Sequence, residues 1–183
     1  MVKRKESFSD EDLEKIALKH GKNIHLLSKE HAFTVDADGT IHKCPAGNDG
    51  GVDVSIELAK SAKIIVHNHP NDFKEPASFS GIDVYHLLHL RLNEIIVCSY
   101  GYYFAMKNEN CSTLSSEVKR DLEKEYKRIE TRLYKEFIRD TSALERSIAA
   151  KYRKFRVSVE KEYHEFLTKY AHEKGLSYHK GKL

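Results

Sequence analysis

Apolar and polar positions alternate with different periods along the chain, and the changes of period predict its elements. Residues 10–20 place Leu13, Ile16 and Ala17 on one face of a short amphipathic helix, with Ser9 to cap it and Gly21 to end it. Residues 30–35 read as a strand, Asp38-Gly39 as a tight turn, and residues 40–42 as the return strand of a hairpin. Residues 44–53 carry one proline and three glycines and form a loop. A helix over residues 54–62 leads into residues 63–67, a β-branched apolar run with the look of a strand buried on both faces. A polar loop over residues 68–79, a helix over 81–92 and a strand over 94–99 follow; Gly101 then turns the chain into residues 102–106, expected as the last strand of the sheet.

From Ser115 the pattern is helical throughout, and glycine and proline are absent until Gly175. Val118, Leu122, Tyr126, Ile129, Leu133 and Phe137, and later Tyr152, Phe155, Val159, Phe166 and Tyr170, recur mostly at steps of three and four. Asp140-Thr141-Ser142 interrupts this stripe, and Ser142 with Glu145 has the form of a capping box, which leaves a helical hairpin and a single rod both open. Such a stripe needs a partner, so it predicts self-association or docking against another surface. The expected fold is α/β, a compact mixed sheet of roughly four to six strands flanked by helices, with residues 1–112 as the sheet domain and residues 113–183 as a helical extension.

Composition narrows the class. The 183 residues suit one domain with a sizeable core, or a smaller domain with an appendage. A formal charge of +3 indicates neither a nucleic-acid binder nor an acidic tail, and the basic residues of the helical region are interleaved with glutamates, as on a solvated face. A metal-dependent nuclease therefore has poor support. Cys44, Cys98 and Cys111 are odd in number and show no CxxC spacing, so neither a disulfide framework nor a cysteine zinc site is expected, and a reducing cytoplasm fits best. The chain has no 18-residue apolar run, so no membrane association is expected.

Eleven histidines are the informative excess. His67-Asn68-His69-Pro70 directly follows the buried strand. Residues i and i+2 of an extended segment point to one side about 6–7 Å apart, close enough for two imidazoles to share an ion, and proline then ends the ladder. Asp83, in Ser80-Gly81-Ile82-Asp83 at the head of the next helix, can fold back to join them, although Ser-x-x-Asp is also a capping box. Three protein ligands with a fourth position open to water make a catalytic zinc site. A carboxylate base is then needed, for which Glu30 at the head of the first strand is favoured over Glu57 in the helix before His67. His86 and His89 are expected as ordinary structural residues of a helix, and Cys98 as core.

Residues 62–70, with Glu75-Pro76 and Ser80-Gly81-Ile82-Asp83, resemble the metal-binding signature of JAMM (MPN/JAB) metalloproteases, and the His-Asn-His-Pro form is similar to their RadC-like branch. The likeness covers residues 28–106, and Lys29-Glu30-His31 stands where that branch carries a strand-leading glutamate. The resemblance implies a JAMM- or cytidine-deaminase-like sandwich in which His67, His69 and Asp83 bind one Zn²⁺, Glu30 is base and proton shuttle, and Ser80 helps stabilise the oxyanion. The segment from Pro70 to Ser80 is two residues longer than is usual for the family, which leaves Ser78 as the alternative serine. Asn68 stands where deubiquitinating members commonly have Ser or Thr, and there is no room for the long insertions such members use to grip ubiquitin. The implied activity is hydrolysis of amide or isopeptide bonds in a protein or peptide, with a RadC-like, non-peptidase module in DNA-related or phage assembly as the alternative.

Overall fold

A computed structural model of the protein describes residues 7–45, 47, 51–70, 74–140 and 148–183. It is an α/β fold with six strands in one mixed sheet: β1 (Ala32–Asp36), β2 (Ile41–Lys43), β3 (Ala62–Asn68), β4 (Glu94–Ser99), β5 (Tyr102–Asn108) and β6 (Leu176–Lys182). The strand order is β2-β1-β3-β4-β5-β6, and only β3 and β4 run parallel. The helices are α1 (Asp10–Gly21), α2 (Ile56–Ser61), α3 (Gly81–His89), α4 (Ser115–Asp140) and α5 (Ile148–Glu173).

Period-two alternation sorts the strand residues onto two faces. Ile64, Val66, Ile96, Cys98 and Ala105 pack with Leu13 and Ala17 of α1 on one face. On the other, Ile65, Ile95, Val97, Phe104 and Met106 meet Leu87 of α3, Val118 and Leu122 of α4, and Val159, Tyr163 and Leu167 of α5. His67 shares its parity with Ile65 and so belongs to the second face. Ser9 caps α1 through its side chain, as expected. Gly21 does not terminate that helix in a left-handed turn. It is the buried last residue of α1, followed by a right-handed Lys22, and a Cβ there would lie 2.5 Å from Cys98 Sγ. Its role is close approach of helix to sheet.

At the C-terminal end one expectation changes and one open alternative is decided. β5 is not the last strand, because β6 pairs along its whole length, from Tyr102↔Lys182 to Asn108↔Leu176. Leu-Ser-Tyr-His-Lys-Gly-Lys carries too few apolar residues to read as a strand, and its lysines are what an exposed sheet edge favours. The helical region is two helices, antiparallel to each other: Tyr126 and Tyr163 meet edge to face with ring centroids 4.9 Å apart, Arg156 pairs with Glu130 at 3.1 Å, and Tyr170 donates to Asp121 at 3.0 Å. The capping box expected at Ser142 lies outside the described residues. The boundary expected near residue 112 is crossed both by the shared core and by β6. Among the described residues no helix is long and apolar enough to cross a membrane.

Candidate metal centre

β3 delivers His67 and Asn68 at the carboxyl end of the parallel pair, the position where open α/β sheets present ligand-binding side chains. Pro70 follows His69, and the chain leaves the sheet. The loop returns through Ser78 to Ser80, the N-cap of α3, and the first turn of that helix brings Asp83 back beside the histidines. His67 Nε2 lies 3.0 Å from His69 Nε2 and 3.0 Å from Asp83 Oδ1, while His69 Nε2 is 3.5 Å from Asp83 Oδ2. Glu30 Oε1 stands 4.0 Å from His67 Nε2. Among the described residues Glu30, His67 and His69 form a group that could hold a metal ion, their ligand atoms all within 4.8 Å of one another. Asp83 makes the shorter contacts to the imidazoles, so two carboxylates flank the pair.

The donor chemistry fits a cation. His69 Nδ1 lies 2.8 Å from the Ser78 carbonyl oxygen, which can only accept, so the neutral ring carries its proton there and turns the Nε2 lone pair inward. Ligands about 2.0–2.1 Å from a tetrahedral ion stand roughly 3.3 Å apart. The contacts of 3.0, 3.0 and 3.5 Å among His67, His69 and Asp83 bracket that spacing. Asp83 also does what the competing reading required: its Oδ2 accepts from both the backbone amide and the hydroxyl of Ser80 at 2.6 Å, closing a capping box. Oδ1 faces His67 at 3.0 Å, while the capping Oδ2 also stands 3.5 Å from His69 Nε2.

Burial disfavours charge on every member of the group, and among them only the oppositely charged neighbours offset it. His67 is pushed down by burial but raised more by the Asp83 and Glu30 carboxylates together, so it titrates above an ordinary histidine, whereas burial keeps His69 below one. Burial raises Asp83, yet the two imidazoles and the hydrogen bonds from His67 and Ser80 hold it well below the usual carboxylate range. Glu30 is raised, chiefly by burial and further by Asp83, with His67 acting against the rise.

Two clefts meet at this point. One, of about 1000 Å³, runs between α2 and α3 past Glu30, Ile56, Lys60, His86 and Arg91. The other, of about 480 Å³, lies toward α4 and α5 and reaches Tyr126 and Glu160. His69, Ser80 and Ile82 line both. Glu57 is exposed on α2 and lines neither. Ser78 is buried, its hydroxyl oxygen accepting from Phe79 N and from Tyr178 Oη, and what it offers the site is its carbonyl. His86 and His89 are exposed along the larger cleft, His89 stacked on Tyr85 with ring centroids 5.0 Å apart, and neither belongs to the metal-holding group. Cys98 is core, its thiol pushed up to about 12 by burial.

Asn68 is the site residue that the pattern of histidines hides. Fully buried, it accepts from His31 N at 2.6 Å and donates to Lys29 O at 3.0 Å and Leu27 O at 3.2 Å. It therefore clamps the backbone on both sides of Glu30. A polar residue alternating out of a buried strand has to be hydrogen-bonded, and that is the signal in the sequence that could have found it.

Compared with models of protein families, with curated proteins and with solved structures, the chain matches none.

Proposed function

We propose that the protein is a zinc-dependent hydrolase of amide or isopeptide bonds in a polypeptide substrate, as the resemblance to JAMM metalloproteases implies. The observation that carries the reading is the convergence of the His67 and His69 Nε2 atoms, 3.0 Å apart, with the carboxylates of Asp83 and Glu30 beside them, where two clefts join. His67, His69 and Asp83 hold the ion. Zinc supplies Lewis acidity, bringing the pKa of water to about 7 and polarising a carbonyl. Glu30 Oε1 takes a proton from the attacking water and hands it to the amine nitrogen as the carbon–nitrogen bond breaks. Ser80 turns its hydroxyl from Asp83 Oδ2 toward the carbonyl oxygen as negative charge develops there. A substrate with chain on both sides of the scissile bond suits a site open into two clefts.

Metal analysis of the wild type beside a His67→Ala, His69→Ala double variant tests the ligands: one zinc per chain is expected in the first and none in the second, and stoichiometric zinc surviving in the variant would sink the site. Glu30→Gln is expected to keep its zinc and lose at least 100-fold in hydrolysis of ubiquitin-like fusions or extended peptides. A second reading, a zinc-bearing assembly module working through its helices, draws on the exposed Tyr134 and Ile138 of α4 and Val157 of α5. Full biological activity in Glu30→Gln would favour it.

A further inference from the structure

The described residues between β3 and α3 join no ladder, yet they present the Ser78 carbonyl to His69 Nδ1 at 2.8 Å. Its support comes from far along the chain. Ser78 N donates to Glu160 Oε2 of α5 at 3.4 Å, and Tyr178 Oη of β6 donates to Ser78 Oγ at 3.3 Å. Glu160 is itself held, its Oε1 accepting from Tyr126 Oη at 3.2 Å, and that hydroxyl accepts from Arg156 at 2.8 Å. Tyr178 is steadied by His164 Nδ1 at 2.7 Å and by Phe79, whose ring it meets edge to face. Arg153 of α5 reaches Glu75, earlier in the same loop, at 2.6 Å. Ser99 Oγ links the His69 carbonyl at 3.0 Å to the Ala77 amide at 3.2 Å, so the end of β4 fixes the other side of the loop.

We propose that Glu160 and Tyr178 are positioning residues for the metal centre: by gripping Ser78 at its amide and its hydroxyl they fix the carbonyl that orients His69 and so aim His69 Nε2 at the ion. The proposal rests on the reading of His69 as a metal ligand. It gives the helical hairpin and the edge strand a part in the site beyond covering the core. Partners bonded directly to a ligating histidine typically govern metal affinity by 10- to 100-fold, and Glu160 and Tyr178 act one bond further back, through Ser78.

The test is zinc affinity of the full chain, measured by competition with a chromophoric chelator, with the visible spectrum of the cobalt-substituted protein as a report on ligand geometry. Glu160→Ala and Tyr178→Phe are each expected to weaken zinc binding by up to about tenfold and to alter the cobalt spectrum. Glu160→Gln, which keeps an oxygen for Ser78 N, is expected to recover most of the loss. Tyr170→Phe removes a hydrogen bond to Asp121 within the same hairpin but away from Ser78, and is expected to bind zinc as the wild type does. Wild-type affinity in both Glu160→Ala and Tyr178→Phe would overturn the proposal, as would an equal loss in Tyr170→Phe, which would mark general loosening. If Glu160→Ala does not fold, Tyr178→Phe decides alone. A wild type that binds no zinc would fail the metal reading itself, a result distinct from tight binding that ignores Glu160 and Tyr178.

Discussion

Exchanging Asn68 for aspartate alters a single atom's chemistry at the back of the candidate metal centre. The native amide donates from Nδ2 to Leu27 O and Lys29 O and accepts at Oδ1 from His31 N, inside a fully buried pocket. In Asn68→Asp the accepted bond survives, but the two donated ones are lost, at about 1 kcal/mol each. An oxygen then faces two carbonyl oxygens with no water to separate them, which costs about 1–3 kcal/mol more. The sum is about 3–5 kcal/mol, and for a chain of this size each kcal/mol moves the melting temperature by about 2–4 °C, so a drop on the order of 10 °C is expected at neutral pH. The sign with pH follows from the same contacts. The protonated carboxyl can donate to one of the carbonyls, so its folded pKa lies above its unfolded one; stability is greatest below the unfolded value and is lost as pH rises through the folded one. Urea unfolding of variant and wild type at pH 5 and pH 8, followed by circular dichroism, should show the difference between them widening at pH 8. A variant within 1 kcal/mol of the wild type at pH 8 would refute the clamp.

Burial pushes the Glu94 carboxyl from 4.5 to about 8, Glu14 adds to the rise, and Lys107, 3.8 Å away on the neighbouring strand, opposes it. Because the folded pKa is the higher one, this group's contribution is complete below about pH 4.5 and is lost as pH rises toward 8, at about 1.4 kcal/mol per pH unit. Glu94→Gln is therefore expected to flatten the fall in stability between pH 5 and pH 8, and an unchanged slope in urea titrations would count against it. Gly21→Ala should destabilise by about 1–3 kcal/mol, since its Cβ would meet Cys98 Sγ at 2.5 Å. Adding Cys98→Ala should recover part of that cost; strictly additive losses in a double-mutant cycle would show that the two residues do not oppose each other.

The sequence made the central strands and the site's inner residues legible for a common reason: each announced itself locally. Residues 64–66 form an unbroken β-branched apolar run, His67 and His69 share a side at a spacing of two, and Asp83 falls in the first turn of a well-marked helix. What stayed hidden depends on partners distant in sequence. β6 has half-exposed positions and a lysine-rich edge, so nothing in its composition separates it from a loop. Ser78 could be noticed as a hydroxyl, but its useful group is a backbone carbonyl, which no side-chain pattern encodes. Whether α4 and α5 formed a hairpin or a rod turned on contacts such as Tyr126 with Tyr163, which periodicity within each helix does not determine.

The bond between Ser78 and Tyr178 joins residues 100 positions apart, and that between Ser78 and Glu160 spans 82. During synthesis at about 5–20 residues per second, the two imidazoles therefore emerge roughly 5–20 s before the groups that hold Ser78. Throughout that interval the nascent chain carries His67 and His69 without the two long-range bonds that hold Ser78. The hold on the Ser78 hydroxyl comes last, when the final strand closes on the sheet.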